Sequence, residues 1–155
     1  MPLKLNYLLI PLFVLITASA ASHFADVGMA WYKTINLPDW TPSNMLMVIV
    51  WTFVFVLASC SLLIIWNRHY SERNFQLIIG LFILNALLNV GWNILFFTQQ
   101  QIGLAFFGAV LLIVNLSILI YFIWKFSPIS ATLLLPYSFW VTFATVLTLN
   151  VWLMN

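Results

Sequence analysis

The sequence predicts an all-α membrane protein, built as a five-transmembrane-helix bundle. Hydrophobic residues make up 65% of the 155-residue chain and charged residues only 5%, whereas soluble domains carry about 25% charged residues. A soluble fold of this length has too little interior to hide so much apolar surface. The apolar residues also fall into five runs, each close to the roughly 20 residues that cross a bilayer as a helix.

The breaks between the runs locate the predicted spans. Pro38 and Pro42 separate the first two spans, and Ser127-Pro128 separates the last two, as expected of residues that end helices and form turns. Backbone in hydrocarbon must satisfy its own hydrogen bonds, so the runs should be helices and not strands. Apart from the long first connection at 26–44, the connections are short, so consecutive helices should be antiparallel. The spans, within a single domain 1–155, are predicted at about 5–25, 45–66, 74–97, 103–125 and 129–153.

The basic residues predict the orientation. Those expected on one side of the membrane are Lys4, Arg68, Arg73 and Lys125. Lys33 falls alone on the other side. Cytoplasmic loops carry the excess of Lys and Arg, so we expect a cytoplasmic N-terminus. Short tails fit a prokaryotic cytoplasmic membrane.

A cleaved signal peptide is an alternative for the first span. Lys4, the apolar run that follows it and Ala18-Ser19-Ala20 resemble such a peptide with its cleavage site. However, the run is long for the apolar core of a signal peptide. The small residues Ala18 and Ser22 also suit helix packing.

Several classes of function are disfavoured. No Asp, Glu, Lys or Arg lies mid-membrane in a predicted span, and proton relays and ion pumps need such charged groups. His23 and His69 are too far apart to suggest a metal site, and the single Cys60 excludes a disulfide framework. The small net charge of +2 argues against nucleic acid. We therefore expect no ordinary acid–base or nucleophilic enzyme, and no required cofactor.

Aromatic and amide side chains form stripes on three spans. They are Trp51 and Phe55 in the second span, Asn85, Asn89, Trp92 and Phe96 in the third, and Tyr137, Trp140 and Ala144 in the fifth. Residues three or four apart share one helix face, and an unpaired amide in hydrocarbon is costly. The stripes should therefore face one another around a cavity covered by loop 26–44, which would suit a large planar hydrophobic ligand. Interhelical hydrogen bonding by the amides and simple packing by the tryptophans remain alternatives.

Three motifs carry a family resemblance. The segment from Trp31-Tyr32 through Pro38 and Trp40 to Pro42 resembles a first-loop motif W-Y-x-x-L-x-x-P-x-W-x-P-P. Residues 89–97 resemble N-x-x-W-x-x-x-F-F, and residues 136–144 resemble P-Y-x-x-W-x-x-F-A. Together, and in this order, they make the whole chain resemble the TspO/MBR family, the translocator or tryptophan-rich sensory proteins.

The resemblance implies a homodimeric receptor in membrane lipid that binds tetrapyrroles such as protoporphyrin IX and haem. Two alternative functions remain. One is light-dependent porphyrin breakdown with redox-active Trp31 and Trp140, and the other is a role as a transporter or scaffold. Ser43 replaces the second Pro of the loop motif, and no Tyr or basic residue lies in 146–155, which argues against the sterol motif of animal members. The ligand residues that it implies are His23, Trp31, Tyr32, Pro42, Trp51, Phe55, Asn85, Asn89, Trp92, Phe96, Tyr137, Trp140 and Ala144.

Overall fold

The protein is a bundle of five helices, seen in a computed structural model that describes residues 5–155. Each of the five is long and apolar enough to cross a membrane, so the predicted fold class is confirmed and the chain is an integral membrane protein. Lys4, which entered the orientation prediction, lies outside the described residues. The helices are α1 (Asn6–Tyr32), α2 (Asn44–Arg68), α3 (Phe75–Asn93, continued by a π-helical turn Ile94–Thr98), α4 (Ile102–Trp124) and α5 (Pro128–Met154).

The helices form a closed ring. Around the ring the order is α1, α2, α5, α4, α3 and back to α1. Within residues 5–155, α1 lies beside the gap between α2 and α3, which meet through the side chains of Trp66 and Phe75, with ring centroids 5.3 Å apart. We call the end of the bundle that carries residues 33–43 the loop end. The α1 to α2 and α3 to α4 connections lie there, and the other two connections lie at the opposite end.

The half of the bundle away from the loop end is filled. Buried apolar side chains from all five helices form one cluster there, which includes Ile10, Leu62, Ile65, Ile78, Leu119, Ile123 and Leu134. Ser61 on α2 adds a buried hydrogen bond, because its Oγ donates to the carbonyl oxygen of Ser130 at 2.8 Å.

The first helix is longer than the sequence predicts. A loop was predicted at 26–44, but α1 continues to Tyr32 and only residues 33–43 connect it to α2. The predicted span ended before Asp26 because a charged residue is typical of the end of a membrane span. No Pro interrupts the segment from Asp26 to Tyr32, so the helix can continue through it. Tertiary packing stabilises these added turns, since the Tyr32 ring lies 5.5 Å from that of Phe97 in the π-helical turn.

The shortened loop is anchored to the end of α5. The backbone N–H of Asn36 donates to Oδ1 of Asn155 at 2.9 Å, and Nδ2 of Asn155 donates back to the Asn36 carbonyl at 2.9 Å. Trp40 packs edge-on against Phe143, with ring centroids 5.6 Å apart. The loop therefore covers the end of α5.

Candidate ligand-binding site

Two adjacent cavities lie between the described helices, and the larger one reaches from the loop end past the middle of the bundle to Pro11 and Ser59. The larger one, of about 430 Å³, is lined by α1, α2 and α3 with its π-helical turn. The smaller one, of about 40 Å³, is lined mainly by α5, α2 and the same end of α3. The residues that border both cavities are Met47, Trp51, Trp92 and Phe97. These shared side chains form the wall between the two spaces, so a small movement of that wall would merge them.

A stripe of small residues on α1 forms one side of the larger cavity. It consists of Ala18, Ala21, Ser22 and Ala25. Their spacing of three and four residues places them on one helix face, and their short side chains leave the space open. These residues were not predicted as site residues, because Ala18 and Ser22 were attributed to helix packing and Ala18 also to an alternative signal-peptide cleavage site.

Aromatic side chains of α2 form the facing side. Trp51 and Phe55 both line the larger cavity, and their ring centroids lie 5.6 Å apart. Trp51 also meets Trp140 of α5 edge to face, at 6.4 Å and an interplanar angle of 85°. The stripes predicted on α2 and α5 therefore do come together.

The third side belongs to α3. Asn89 and Trp92 line the larger cavity, and Phe96 lines the smaller one. Trp92 stacks on Phe96 with ring centroids 5.3 Å apart and planes 20° apart. The π-helical turn is defined by a hydrogen bond over five residues, which the Gln99 N–H donates to the Ile94 carbonyl oxygen at 2.8 Å. This turn contains one residue more than an α-helical turn, so it changes the direction in which the last aromatic side chains of α3 point.

The smaller cavity is bounded by α5 and the end of α1. Trp140, Ala144 and Tyr32 line it. Trp140 stacks on Phe143 at 5.2 Å with planes 20° apart. Phe143 in turn carries Trp40 of the loop, and Ile35 and Leu37 of the loop pack against the cluster that contains Tyr32 and Phe96.

Two buried indole groups border the cavities without a hydrogen-bond partner. The Nε1 atoms of Trp92 and Trp140 are both inaccessible and unpaired within the described residues. A buried donor without an acceptor costs about 1–3 kcal/mol. Both atoms are fully covered in this structure, so a ligand that accepts hydrogen bonds would pair with them only after the indole rings turn.

Two predicted site residues lie behind the wall. Asn85 and Tyr137 are buried, and the Tyr137 hydroxyl donates to Oδ1 of Asn85 at 2.9 Å. Neither lines either cavity. Their geometry corresponds to the interhelical hydrogen bonding that the sequence left open as an alternative.

Three more predicted residues lie away from the cavities. His23 is exposed on α1 beside Phe24, because the 100° step from Ser22 turns it off the cavity face. Trp31 packs edge-on against Phe96 at 5.8 Å and does not reach either cavity. Pro42 lies in the loop. Segment 26–44 was predicted to be a loop that covers the cavity. None of residues 33–43 borders either cavity, whereas Asp26, Met29, Tyr32 and Asn44 do.

The larger cavity opens sideways between α1 and α2. Leu15, Val48 and Val56 line it and are nevertheless 63%, 65% and 54% exposed. In a membrane-spanning bundle such a surface faces lipid. Asp26 and Asn44 border the cavity nearer the loop end.

Elsewhere in the described chain, no second group of predicted site residues comes together. A shallower depression of about 410 Å³ at the opposite end is lined by Asn6, Trp66, Asn67, Tyr70 and Phe75. Within residues 5–155, no group of three or more His, Cys, Asp or Glu side chains is placed to hold a metal ion.

The fold and the cavity together define a class: a five-helix integral membrane protein whose helices enclose an aromatic chamber that is open to lipid. The chain belongs to the TspO/MBR family, whose sequence profile matches residues 7–153. The family resemblance drawn from the three motifs is thus confirmed.

Named relatives come from bacteria, archaea and animals. The chain is 32% identical to the tryptophan-rich protein TspO of Bacillus cereus, over 83% of each chain. It is also 32% identical to the tryptophan-rich protein TspO of Archaeoglobus fulgidus, over 93% of each chain. Its identity to the human translocator protein is 27%, over 81% of this chain and 75% of the human one.

Proposed function

We propose that the protein is a membrane receptor that binds tetrapyrroles, such as protoporphyrin IX or haem, in the larger cavity. The observation that carries the proposal is an aromatic wall made by Trp51, Phe55 and Trp92, beside buried indole N–H groups that have no partner. Flat macrocycles stack on such rings, and their peripheral carboxyl groups accept hydrogen bonds from indole donors.

The lateral mouth supports the same class of ligand. Porphyrins partition into the bilayer, and the cavity opens to lipid between α1 and α2, where Leu15 and Val48 are largely exposed. A ligand dissolved in the membrane would reach the aromatic wall without crossing the anchored loop 33–43.

Porphyrin titration tests the proposal. Protoporphyrin IX is titrated into the protein in nanodiscs, and its Soret absorbance is followed together with Trp fluorescence. The Trp51→Ala, Trp140→Ala double variant should bind at least tenfold more weakly. The control is Trp66→Ala, Trp124→Ala, which removes two partly exposed indoles at the opposite end and should bind like the parent. Equal affinity in both double variants would place binding elsewhere.

Light-dependent oxidation of a bound porphyrin, with dioxygen as the oxidant, is the second candidate function. The observation in its favour is that Trp51, Trp92 and Trp140 all border the smaller cavity. Trp140 was predicted to be redox-active together with Trp31, but Trp31 does not line that space. If Trp140→Phe bleaches porphyrin under illumination as fast as the parent, the protein is a binder only.

We further propose a cytoplasmic N-terminus in a prokaryotic cytoplasmic membrane. Arg68, Arg73 and Lys125 lie at the end opposite the loop, and Lys33 lies at the loop end. The positive-inside rule places the richer end in the cytoplasm. In a Cys60→Ser background, a cysteine at Asp39 should react with an impermeant maleimide on intact cells, and a cysteine at Ser71 should react only after lysis.

A further inference from the structure

A chain of hydrogen bonds crosses three helices behind the cavity wall. Nδ2 of Asn115 on α4 donates to the backbone carbonyl of Leu81 at 3.2 Å. Nδ2 of Asn85 donates to Oδ1 of Asn115 at 2.9 Å. The Tyr137 hydroxyl donates to Oδ1 of Asn85 at 2.9 Å. Nδ2 of Asn89 donates to the Tyr137 oxygen at 3.3 Å. We call this chain the amide relay.

The direction of the amide relay is set at its Leu81 end. A backbone carbonyl can only accept, so Asn115 must turn its NH₂ toward it and its Oδ1 toward Asn85. Asn85 must then supply its NH₂ to Asn115 and its oxygen to Tyr137. The Tyr137 hydroxyl has a single hydrogen, which is used on Asn85, so it can only accept from Asn89.

The last member of the amide relay lines the larger cavity. Asn89 is 2% exposed and borders that space. Its NH₂ is engaged by Tyr137, and its backbone carbonyl accepts from Nδ2 of Asn93 at 3.0 Å. Within residues 5–155, no hydrogen bond is made to Oδ1 of Asn89. The amide therefore reaches the cavity as an acceptor.

We infer that Asn115, although remote from the cavity, is a positioning residue that makes the site select flat ligands able to donate an N–H or O–H to Asn89. This inference rests on the proposed function, because it specifies the ligand class of the same cavity.

Two planar probes of nearly equal shape test the inference. Carbazole carries an N–H donor, whereas dibenzofuran has an ether oxygen in its place. Binding is measured by equilibrium dialysis of each probe against nanodiscs with and without the protein. One hydrogen bond corresponds to roughly fivefold in affinity, so the parent should bind carbazole about fivefold more tightly than dibenzofuran. Equal binding by the parent would overturn the proposed acceptor role of Asn89.

Two variants then test the amide relay. Asn115→Leu releases the Asn85 amide, which can invert and let Tyr137 donate to Asn89, so the preference should fall to parity or reverse toward dibenzofuran. Tyr137→Phe cuts the relay next to Asn89 and should also abolish the preference. Ser117→Ala is the matched control on α4, since Ser117 is exposed and bonds only to its own helix at Ile113. It should keep the fivefold preference.

A dibenzofuran affinity that does not fall below that of the parent shows that the cavity of a variant is intact. A retained fivefold preference in Asn115→Leu would overturn the positioning role of Asn115. If Asn115→Leu does not fold, the Tyr137→Phe result alone decides whether the amide relay sets the preference. The two probes are measured without porphyrin. Failure to bind protoporphyrin IX would therefore contradict the proposed function, while the carbazole preference would still test the role of Asn115.

Discussion

Gly28 of α1 lies directly against the backbone of Phe97 in the π-helical turn that ends α3. A Cβ atom at position 28 would overlap the carbonyl group of Phe97. Phe97 borders both cavities, so this close approach holds the end of α1 against the wall that the cavities share.

Substitution of Gly28 should therefore destabilise the bundle. We expect Gly28→Ala to lower the free energy of unfolding by about 1–3 kcal/mol, the usual cost of overpacking, because the obstacle is backbone and cannot rotate away. Thermal unfolding in detergent measures the effect. Gly80→Ala on α3 is the control, since a Cβ there meets nothing within 4 Å and alanine favours helix. Melting of Gly28→Ala at the parent temperature would contradict the contact.

Filling the larger cavity from α1 should block ligand binding. Ala21 is 8% exposed and lines this cavity, so the longer side chain of Ala21→Leu would occupy the space beside the aromatic wall. We expect at least a tenfold loss of protoporphyrin IX affinity by absorbance titration. Ala30→Leu makes the same change at an exposed position of α1 outside both cavities and should leave the affinity unchanged. If the two variants bind equally well, the ligand lies elsewhere.

The unpaired indole donors should contribute to affinity through their N–H groups. Trp92→Phe and Trp140→Phe keep an aromatic ring but remove the donor, so each should weaken binding of a carboxylate-bearing porphyrin by about fivefold. Trp152→Phe serves as the control, because Trp152 is 42% exposed and packs on Phe106 outside the cavities. Full affinity in both cavity variants would mean that the ligand does not accept from these groups.

The filled half of the bundle should depend on the hydrogen bond between α2 and α5. Ser61→Ala removes the buried donor to the Ser130 carbonyl, and interhelical bonds in membranes contribute about 0.6–2 kcal/mol. We expect a loss of that size in unfolding measurements, with porphyrin affinity unchanged because Ser61 lies outside both cavities. Ser117→Ala should show no loss, since Ser117 bonds only within α4.

The anchoring of the loop should be visible in hydrogen exchange. Asn155→Ala removes both bonds to the backbone of Asn36, so the amide of Asn36 should exchange faster. Asn150→Ala is the matched control, because its side chain bonds only to Val146 in its own helix. Porphyrin affinity should be retained in both variants, since loop 33–43 borders neither cavity. Unchanged exchange at Asn36 in Asn155→Ala would argue against the anchor.

Hydropathy by itself determined the five helices and their antiparallel succession. Long apolar runs broken by Pro38, Pro42 and Ser127-Pro128 leave no alternative in a bilayer, where each segment must satisfy its own backbone hydrogen bonds. Periodicity also placed Trp51 with Phe55, and Asn89 with Trp92, on single faces. That much is local, since it depends only on the pitch of one helix.

Only the tertiary structure decided what each face meets. Asn85 and Asn89 share a stripe one turn apart, yet Asn85 meets Asn115 and Tyr137 behind the wall while Asn89 borders the cavity. The continuation of α1 to Tyr32 likewise depends on its packing against the π-helical turn. The physical reason is the same in each case. The pitch of a helix sets the direction of a side chain, but the groups opposite it come from helices distant in sequence.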